Sequence, residues 1–149
     1  KYTIDGGRVF GKVPYPLLRL HEGNETYAFD DYAFNMMNYY EFASDKYLSL
    51  YAEHHFMGLF LNKAPLLRKL QLREVVHTKA LVGSLSDDNL NFIEFPGSLD
   101  AIGTPYLEAG IGIENIFKIL RIDAVWRLSH NDHPNIQNFG IRAKLQITL

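Results

Sequence analysis

Charged side chains recur at alternate positions in the last three strand-like stretches of the chain, and they are the first candidates for chemistry. Alternate residues of a strand point to one face of its sheet, so these cations and anions are predicted to face one another. Paired carboxylates perform acid–base catalysis only where they converge in a pocket, and no Gly-x-Ser-x-Gly nucleophile motif is present. We therefore predict an ion-pair network rather than a catalytic site, and a protein that is not an enzyme. The predicted network comprises Glu108, Glu114, Arg121, Asp123, Arg127, Arg142 and Lys144.

Histidines supply further candidate ligands, in two short groups. His54 and His55 are adjacent, and adjacent strand residues face opposite ways, so they cannot bind one ion. Glu53 and His55 share a face, which favours a structural hydrogen bond. The stretch from His130 to His133 has chelating atoms but no third strong ligand nearby, and its composition is typical of a turn. We predict neither a metal site nor a cofactor.

Composition narrows the class of protein that must position these side chains. The chain has 149 residues, a formal net charge of −2, no cysteine, and a high content of Tyr and Phe. The charge gives no reason to expect a nucleic acid partner. No run of roughly 18 apolar residues is present, so no transmembrane helix is predicted. Because the chain begins with Lys1 rather than Met, we expect a piece of a longer protein.

Hydrophobicity with a period of two is the dominant pattern, and it predicts β-strands throughout. Glu74 and Val75 break one of these patterns, which suggests a bulge. Tight and longer connections alternate between the strands, as in antiparallel hairpins. The predicted strands span residues 3–10, 32–42, 47–61, 70–84, 106–114, 120–129 and 139–149.

Strands with one apolar and one charged face suit either a soluble sheet or an outer-membrane barrel, in which the apolar face contacts lipid. Charges deep within the strands, aromatic residues near strand ends, and lengths near the roughly 9–11 residues that cross a bilayer favour the barrel. Six or seven strands are fewer than the roughly eight of the smallest membrane barrel. We predict an all-β, antiparallel, up-and-down transmembrane barrel of which this chain is the C-terminal part. The alternative is a soluble β-barrel or sandwich that binds a ligand.

The sequence also resembles a known group of proteins. EAGIGIENIFKILRIDAVWRL (residues 108–128) followed by FGIRAKLQITL (139–149) resembles the end of the surface-antigen barrel of the BamA/TamA superfamily. GKVPYPLLRLHEGNETY (11–27) and residues 33–75 resemble uncharacterised Gram-negative outer-membrane proteins, in which a carboxypeptidase-regulatory-like domain precedes such a barrel.

The resemblance implies a barrel of roughly 16 strands in the outer membrane, of which residues 1–149 form one C-terminal segment. It implies lipids and the barrel-assembly machinery as partners, possible contacts with other outer-membrane proteins, and a role in envelope biogenesis, export or scaffolding. A channel or partner-bound component is the alternative. Residues 12–31 would form a long periplasmic connection. The implied assembly signal on the last strand comprises Phe139, Ile141, Leu145, Ile147 and Leu149.

One feature departs from the insertases of the superfamily. They carry an Arg-Gly pair on a long loop that folds into the barrel. By strand count, that loop is predicted to join the strand ending at Phe42 to the strand starting at Tyr47. Only Ser44, Asp45 and Lys46 are available there, which argues against carrying over protein-insertion activity.

Overall fold

The computed structural model describes residues 1–92, 94–133 and 135–146, and only the backbone at positions 66 and 67. Strands dominate it, with two four-residue helices, α1 (Pro65–Arg68) and α2 (Asp87–Leu90), and two short 3-10 turns. The all-β class predicted from the sequence is confirmed. The strands are β1 (Tyr2–Arg8), β2 (Arg19–Leu20), β3 (Phe42–Ser44), β4 (Lys46–His55), β5 (Arg73–Ser84), β6 (Asp100–Ala101), β7 (Tyr106–Ile116), β8 (Leu120–Arg127) and β9 (Phe139–Leu145).

Six of these strands form one antiparallel sheet in the order β1-β4-β5-β7-β8-β9. Within the described residues β1 and β9 do not pair, so the sheet is not a closed barrel. The connections 9–45, 85–105 and 128–138 lie at one end of the sheet. The connections 56–72 and 117–119 lie at the other end, and the β7–β8 turn has positive φ angles at Asn115, Phe117 and Lys118.

The two faces of this sheet differ sharply in chemistry. One face, here called the outer face, exposes large apolar side chains along every strand. The opposite, inner face is buried although most of its side chains are polar or charged. The outer row includes Tyr2, Ile4, Leu48, Leu50, Val76, Val82, Leu107, Ile111, Ile113, Ile122, Trp126, Phe139, Ile141 and Leu145. The buried inner row includes Ser49, His77, Lys79, Glu108, Glu114, Arg121, Asp123, Arg127 and Arg142.

Residues 9–45, here called the crossing segment, cover the inner face. The segment leaves the end of β1, packs Phe34, Met37 and Phe42 against Leu81, Ile102 and Tyr106, and returns to β4. Its strands β2 and β3 form a small second sheet with β6 from the 85–105 connection. The apolar core therefore lies between the crossing segment and the sheet.

The strand predicted over residues 32–42 is wrong, since only Phe42 of that range lies in a strand. Asp30 accepts the backbone N–H groups of Tyr32 and Ala33 through Oδ1, at 2.7 and 3.0 Å. The Asn35 side chain bonds the N–H and C=O of Asp30 at 2.9 Å each. Such local side-chain bonds compete with strand pairing and fix a turn, although the alternation of apolar residues fits a strand.

Because residues 32–41 do not form a strand, the predicted connections between the strands also change. β3 pairs with β2 and β6 rather than with β4, so Ser44 to Lys46 is not a hairpin joint in the main sheet. The crossing segment instead joins the neighbouring strands β1 and β4. The long connection predicted over residues 12–31 therefore lies at the same end as the other two long connections. The crossing segment contains no Arg-Gly pair.

Two local predictions also need correction. The register of β5 runs without a break through Glu74 and Val75, so the bulge suggested there is absent. The sheet irregularity instead falls in β7, between Ile113 and Ile116. β4 ends at His55 rather than Leu61, because Met57 and Gly58 have positive φ and turn the chain.

Candidate functional site

Four charged side chains of the inner face hold the backbone of the crossing segment. They are Lys79 on β5, Glu108 on β7, Arg127 on β8 and Arg142 on β9, and we call them the backbone clamp. Each comes from a different neighbouring strand and each is buried. Alternation places all four on one face, so four adjacent strands present charge to one stretch of chain, residues 30–36.

Glu108 supplies the acceptor of the clamp. Its Oε1 accepts the backbone N–H of Asn35, and its Oε2 accepts that of Met36, both at 2.9 Å. The hydroxyl of Tyr106 donates to Oε2 at 3.2 Å. Hydrogen bonds that involve an ionised partner are stronger than neutral ones, so this buried carboxylate fixes the position of two peptide units.

The three cations of the clamp supply the donors. Arg142 Nη2 donates to the carbonyl of Asn35 at 2.9 Å, and Arg127 Nη1 donates to that of Met36 at 3.2 Å. Lys79 Nζ donates to the carbonyls of Asp30, at 2.7 Å, and of Ala33. Both backbone groups of Asn35 and of Met36 are thus satisfied by charged side chains, as buried peptide groups require.

Arg127 is also paired with a carboxylate of the crossing segment. Its Nη2 lies 2.6 Å from Glu41 Oε1, and its Nη1 lies 3.0 Å from Oε2, which is the bidentate geometry of a strong pair. The same guanidinium donates to the carbonyls of Ser129 and His130 at 3.0 and 2.8 Å. Arg127 therefore joins the crossing segment, β8 and the 128–138 connection.

A second charged group lies beside the clamp, nearer the β7–β8 turn, and its centre is Arg121. Arg121 pairs with Asp123 at 2.8 Å and with Glu53 at 2.7 Å, and its guanidinium lies over the ring of Phe29 at 4.6 Å. His55 lies 3.0 Å from Glu53 and 3.1 Å from Glu114. Arg121 is therefore paired with two carboxylates, as a buried charge requires.

Two glycines of β7 make room for these side chains. A Cβ built on Gly110 would lie 2.4 Å from the ring of His77, and one on Gly112 would lie 2.3 Å from Asp123 Oδ1. Any larger residue would collide with the neighbouring strands' side chains. The glycine pair that the sequence places inside a strand is therefore explained by close packing.

The crossing segment also contacts the outermost strand. Phe29 N–H donates to the carbonyl of Ala143, and Ala143 N–H donates to that of Tyr27, both at 2.8 Å. Asp31 Oδ2 lies 2.6 Å from Lys144 Nζ and 3.6 Å from Lys1 Nζ. Burial acts to raise the pKa of Asp31, but the hydrogen bond and charge of Lys144, with the charge of Lys1, outweigh it and lower that pKa.

The structure brings together only part of the predicted ion-pair set. Arg121 and Asp123 are direct partners. Arg127 pairs with Glu41, Lys144 pairs with Asp31, and Glu114 contacts His55; these three partners lie outside the predicted set. Arg142 and Glu108 bind backbone groups instead. Sequence reasoning missed Asp31, Glu41 and Asn35 as members, and it considered Lys79 as a partner of Glu53, whereas Glu53 pairs with Arg121 and Lys79 binds the crossing segment. The shared face of Glu53 and His55 was the one usable signal, because the false strand over 32–42 misplaced the partners from the crossing segment.

The predicted assembly-signal residues lie only partly within the described chain. Phe139, Ile141 and Leu145 of β9 are exposed on the outer face, whereas Ile147 and Leu149 lie outside the described residues. Within the described ranges no three His, Asp or Glu side chains are grouped so as to hold a metal ion. No helix among these residues has the length and apolarity needed to cross a membrane.

The fold and the site together define a class: an antiparallel sheet whose charged side chains bind the backbone of a long loop that covers one face. More particularly, residues 10–99 match the C-terminal domain of the family of unknown function DUF5686. Because the match covers more than half of the chain, the chain belongs to that family. No curated protein and no solved structure matches the chain.

Proposed function

We propose that this chain forms part of the wall of an outer-membrane β-barrel and that the crossing segment is the loop inside that barrel. The observation that carries the proposal is the arrangement of the two faces. Large apolar side chains are exposed on the outer face, and charged side chains are buried on the inner face. A soluble sheet normally has the reverse arrangement, whereas this one is typical of a barrel in lipid.

The edges of the sheet support a larger barrel. Within the described residues, β1 has no strand partner on one side, and β9 has only the contact with residues 27–29 on its free side. An unpaired backbone group in hydrocarbon costs several kcal/mol, so an open edge cannot remain in lipid. We therefore propose that these are the C-terminal six strands of a Gram-negative outer-membrane barrel of roughly 16 strands.

The polarity of the two ends supports the same proposal. The connections 9–45, 85–105 and 128–138 share one end, and the connections 56–72 and 117–119 lie at the other, so the two longest connections, 9–45 and 85–105, are at the same end. Outer-membrane barrels have long loops on the cell surface and shorter periplasmic connections. The end with the two longest connections would face outward, and the end with 56–72 and 117–119 would face the periplasm.

The covered inner face bears on what such a barrel does. Among the described residues, the crossing segment packs directly on the charged side chains of the inner face and fills the space beside them. This favours a non-enzymatic role in envelope biogenesis or export, or as a scaffold, over a channel. The long loop strengthens the likeness to the surface-antigen superfamily, but without the Arg-Gly pair it gives no support for protein insertion.

Cysteine labelling tests the proposal, since residues 1–149 contain no cysteine and any cysteine elsewhere in the whole protein is first replaced by serine. Single variants Leu50→Cys, on the outer face, and Asp132→Cys, in the 128–138 connection, are made in the whole protein in intact cells. We expect a water-soluble maleimide to label the Asp132 variant and to leave the Leu50 variant unlabelled until detergent is added. Equal labelling of both variants before detergent would show that the outer face contacts water, and would refute the proposal.

A further inference from the structure

The outer face contains an apolar groove at the end where β4 leads into β5. One wall is the turn from Phe56 to Leu61, and the floor is formed by side chains of the sheet. The groove has a volume of about 560 Å³, within the range of small-ligand sites. The residues that shape it include Phe56, Phe60, Val76, Ile111, Ile113 and Ile122.

The wall of this groove is held in place by specific bonds. Glu74 projects toward the turn, and its Oε1 accepts the backbone N–H groups of Phe60, at 2.9 Å, and of Leu61. The N–H of Phe56 donates to the carbonyl of Glu74 at 2.8 Å. Gly58 has a φ of +83°, and a Cβ there would lie 2.1 Å from the side chain of Asn62. The groove is therefore a formed feature of the fold.

The connection that forms one wall of the groove is basic. The connection 56–72 contains Lys63, Arg68 and Lys69 and no acidic residue. All three are exposed, and within the described part of the chain none of them pairs with a carboxylate. Lys63 Nζ lies 5.6 Å from the centre of the Phe60 ring, which places one cation directly beside the groove.

Apolar exposure accompanies this charge. Met57, Leu59, Phe60 and Leu70 of the same connection are exposed. A short segment that combines basic residues with exposed Phe and Leu is typical of the membrane interface, where anionic lipid headgroups attract the cations. The groove begins beside this segment and crosses the outer face over β5, β7, β8 and β9, close to the end of the sheet that carries the basic residues.

We propose that the groove binds one acyl chain of an anionic phospholipid, with Lys63, Arg68 and Lys69 holding its phosphate. This inference rests on the proposed membrane location of the outer face. The basic connection selects the occupant, because the headgroup ammonium of a zwitterionic lipid opposes the attraction of the three cations for its phosphate. The site would tie the end of β4 and the start of β5 to one lipid of the surrounding leaflet.

Native mass spectrometry of the whole protein in detergent tests this site, with phosphatidylglycerol and phosphatidylcholine of equal chain length as probes. We expect one phosphatidylglycerol molecule to remain bound in preference to phosphatidylcholine. The triple variant Lys63→Gln/Arg68→Gln/Lys69→Gln is expected to weaken that binding on the order of 100-fold, from the attraction per basic residue at an anionic lipid. Ala124→Phe, which fills the groove, is expected to abolish it.

Matched variants control for charge and for bulk. Arg8→Gln/Lys12→Gln/Lys46→Gln removes three exposed cations at the opposite end of the sheet, and Ala80→Phe adds bulk to the outer face away from the groove. Both are expected to retain the lipid. Equal retention of the two lipids by the unmodified protein, or unchanged retention after Ala124→Phe, would overturn the proposal. So would a lipid-free dimer that Ala124→Phe dissociates.

The Leu50→Cys labelling separates this inference from the proposed function, since Leu50 lies outside the groove. If Leu50→Cys is shielded in the membrane while phosphatidylglycerol shows no preference, only the lipid site is refuted. If Leu50→Cys is labelled freely, the membrane location is refuted, and the lipid site with it.

Discussion

Glu108 accepts the backbone N–H of Asn35 at 2.9 Å across a sequence separation of 73 residues, and both residues are fully buried. The contact joins the middle of the sheet to the middle of the crossing segment. A buried carboxylate that binds two peptide N–H groups leaves no substitute acceptor if it is changed, so the position of the segment depends on it.

Substitution of Glu108 by Gln is predicted to loosen the crossing segment. The amide keeps one acceptor oxygen and presents an NH₂ group to the second peptide N–H, so we expect a loss of about 2 kcal/mol. Limited proteolysis is expected to cut within residues 22–41 of the variant and not of the unmodified protein. Asp88→Asn, on the exposed helix α2, is the control and should leave the cleavage pattern unchanged. Identical protection in Glu108→Gln would contradict the clamp.

Substitution of Arg127 is predicted to lower the stability of the fold more than substitution of its carboxylate partner Glu41. Breaking a buried ion pair from either side costs about 3–5 kcal/mol. Arg127→Met also removes the donor to the carbonyls of Met36, Ser129 and His130, whereas Glu41→Gln keeps an acceptor. Denaturant unfolding in detergent should therefore rank Arg127→Met as the less stable variant. The reverse order would show that the carbonyl contacts contribute little.

Gly110→Ala is predicted to destabilise the sheet by about 1–3 kcal/mol, as overpacking does. The added Cβ would lie 2.4 Å from the His77 ring and 2.7 Å from the carbonyl oxygen of Ala124. Gly103→Ala is the matched control, because a Cβ there meets nothing within 4 Å. Thermal unfolding of the two variants measures the difference. Equal melting temperatures would mean that β7 shifts without cost.

His21 is predicted to make the protein less stable below neutral pH. Burial and the charge of Arg19 lower the pKa of His21 to about 4, and its Nε2 lies 2.8 Å from Ser44 Oγ. Between that value and the unfolded pKa of about 6.5, only the unfolded chain binds the proton, so stability falls as pH falls. From pH 7 to pH 5 we expect a loss of about 2 kcal/mol from this group.

Comparison with His21→Gln isolates this contribution, because the other five histidines are common to both proteins. The stability difference between the two proteins should shift in favour of the variant as the pH is lowered. Parallel stability curves from pH 7 to pH 5 would show that His21 does not stay neutral in the fold.

The sequence predicted the strands of the main sheet well, because each has an apolar row and a charged row that differ at every second residue. The same pattern misled over residues 32–42, where Tyr32, Phe34 and Met36 alternate but the chain turns. Asp30 and Asn35, whose side chains fix that turn, are residue types that favour turns, and they indicated that this stretch is not a strand.

The partners within the site could not be predicted in the same way. Glu41, Asp31 and Lys79 contact residues far away in the sequence, and a period of two says which face a residue occupies but not what crosses that face. In the clamp, side chains of the main sheet bind the backbone of the crossing segment. Its geometry follows from the path of residues 9–45, which no local pattern specifies.

The contacts of the clamp impose an order on folding. Asn35 and Met36 come early in the chain, but Glu108, Arg127 and Arg142, which hold them, lie 72 to 107 residues later. Contacts between residues so far apart in the sequence are entropically costly to close and slow to form. We therefore expect the segment that fills the inner face to reach its final position only after β9, the last of these strands, has joined the sheet.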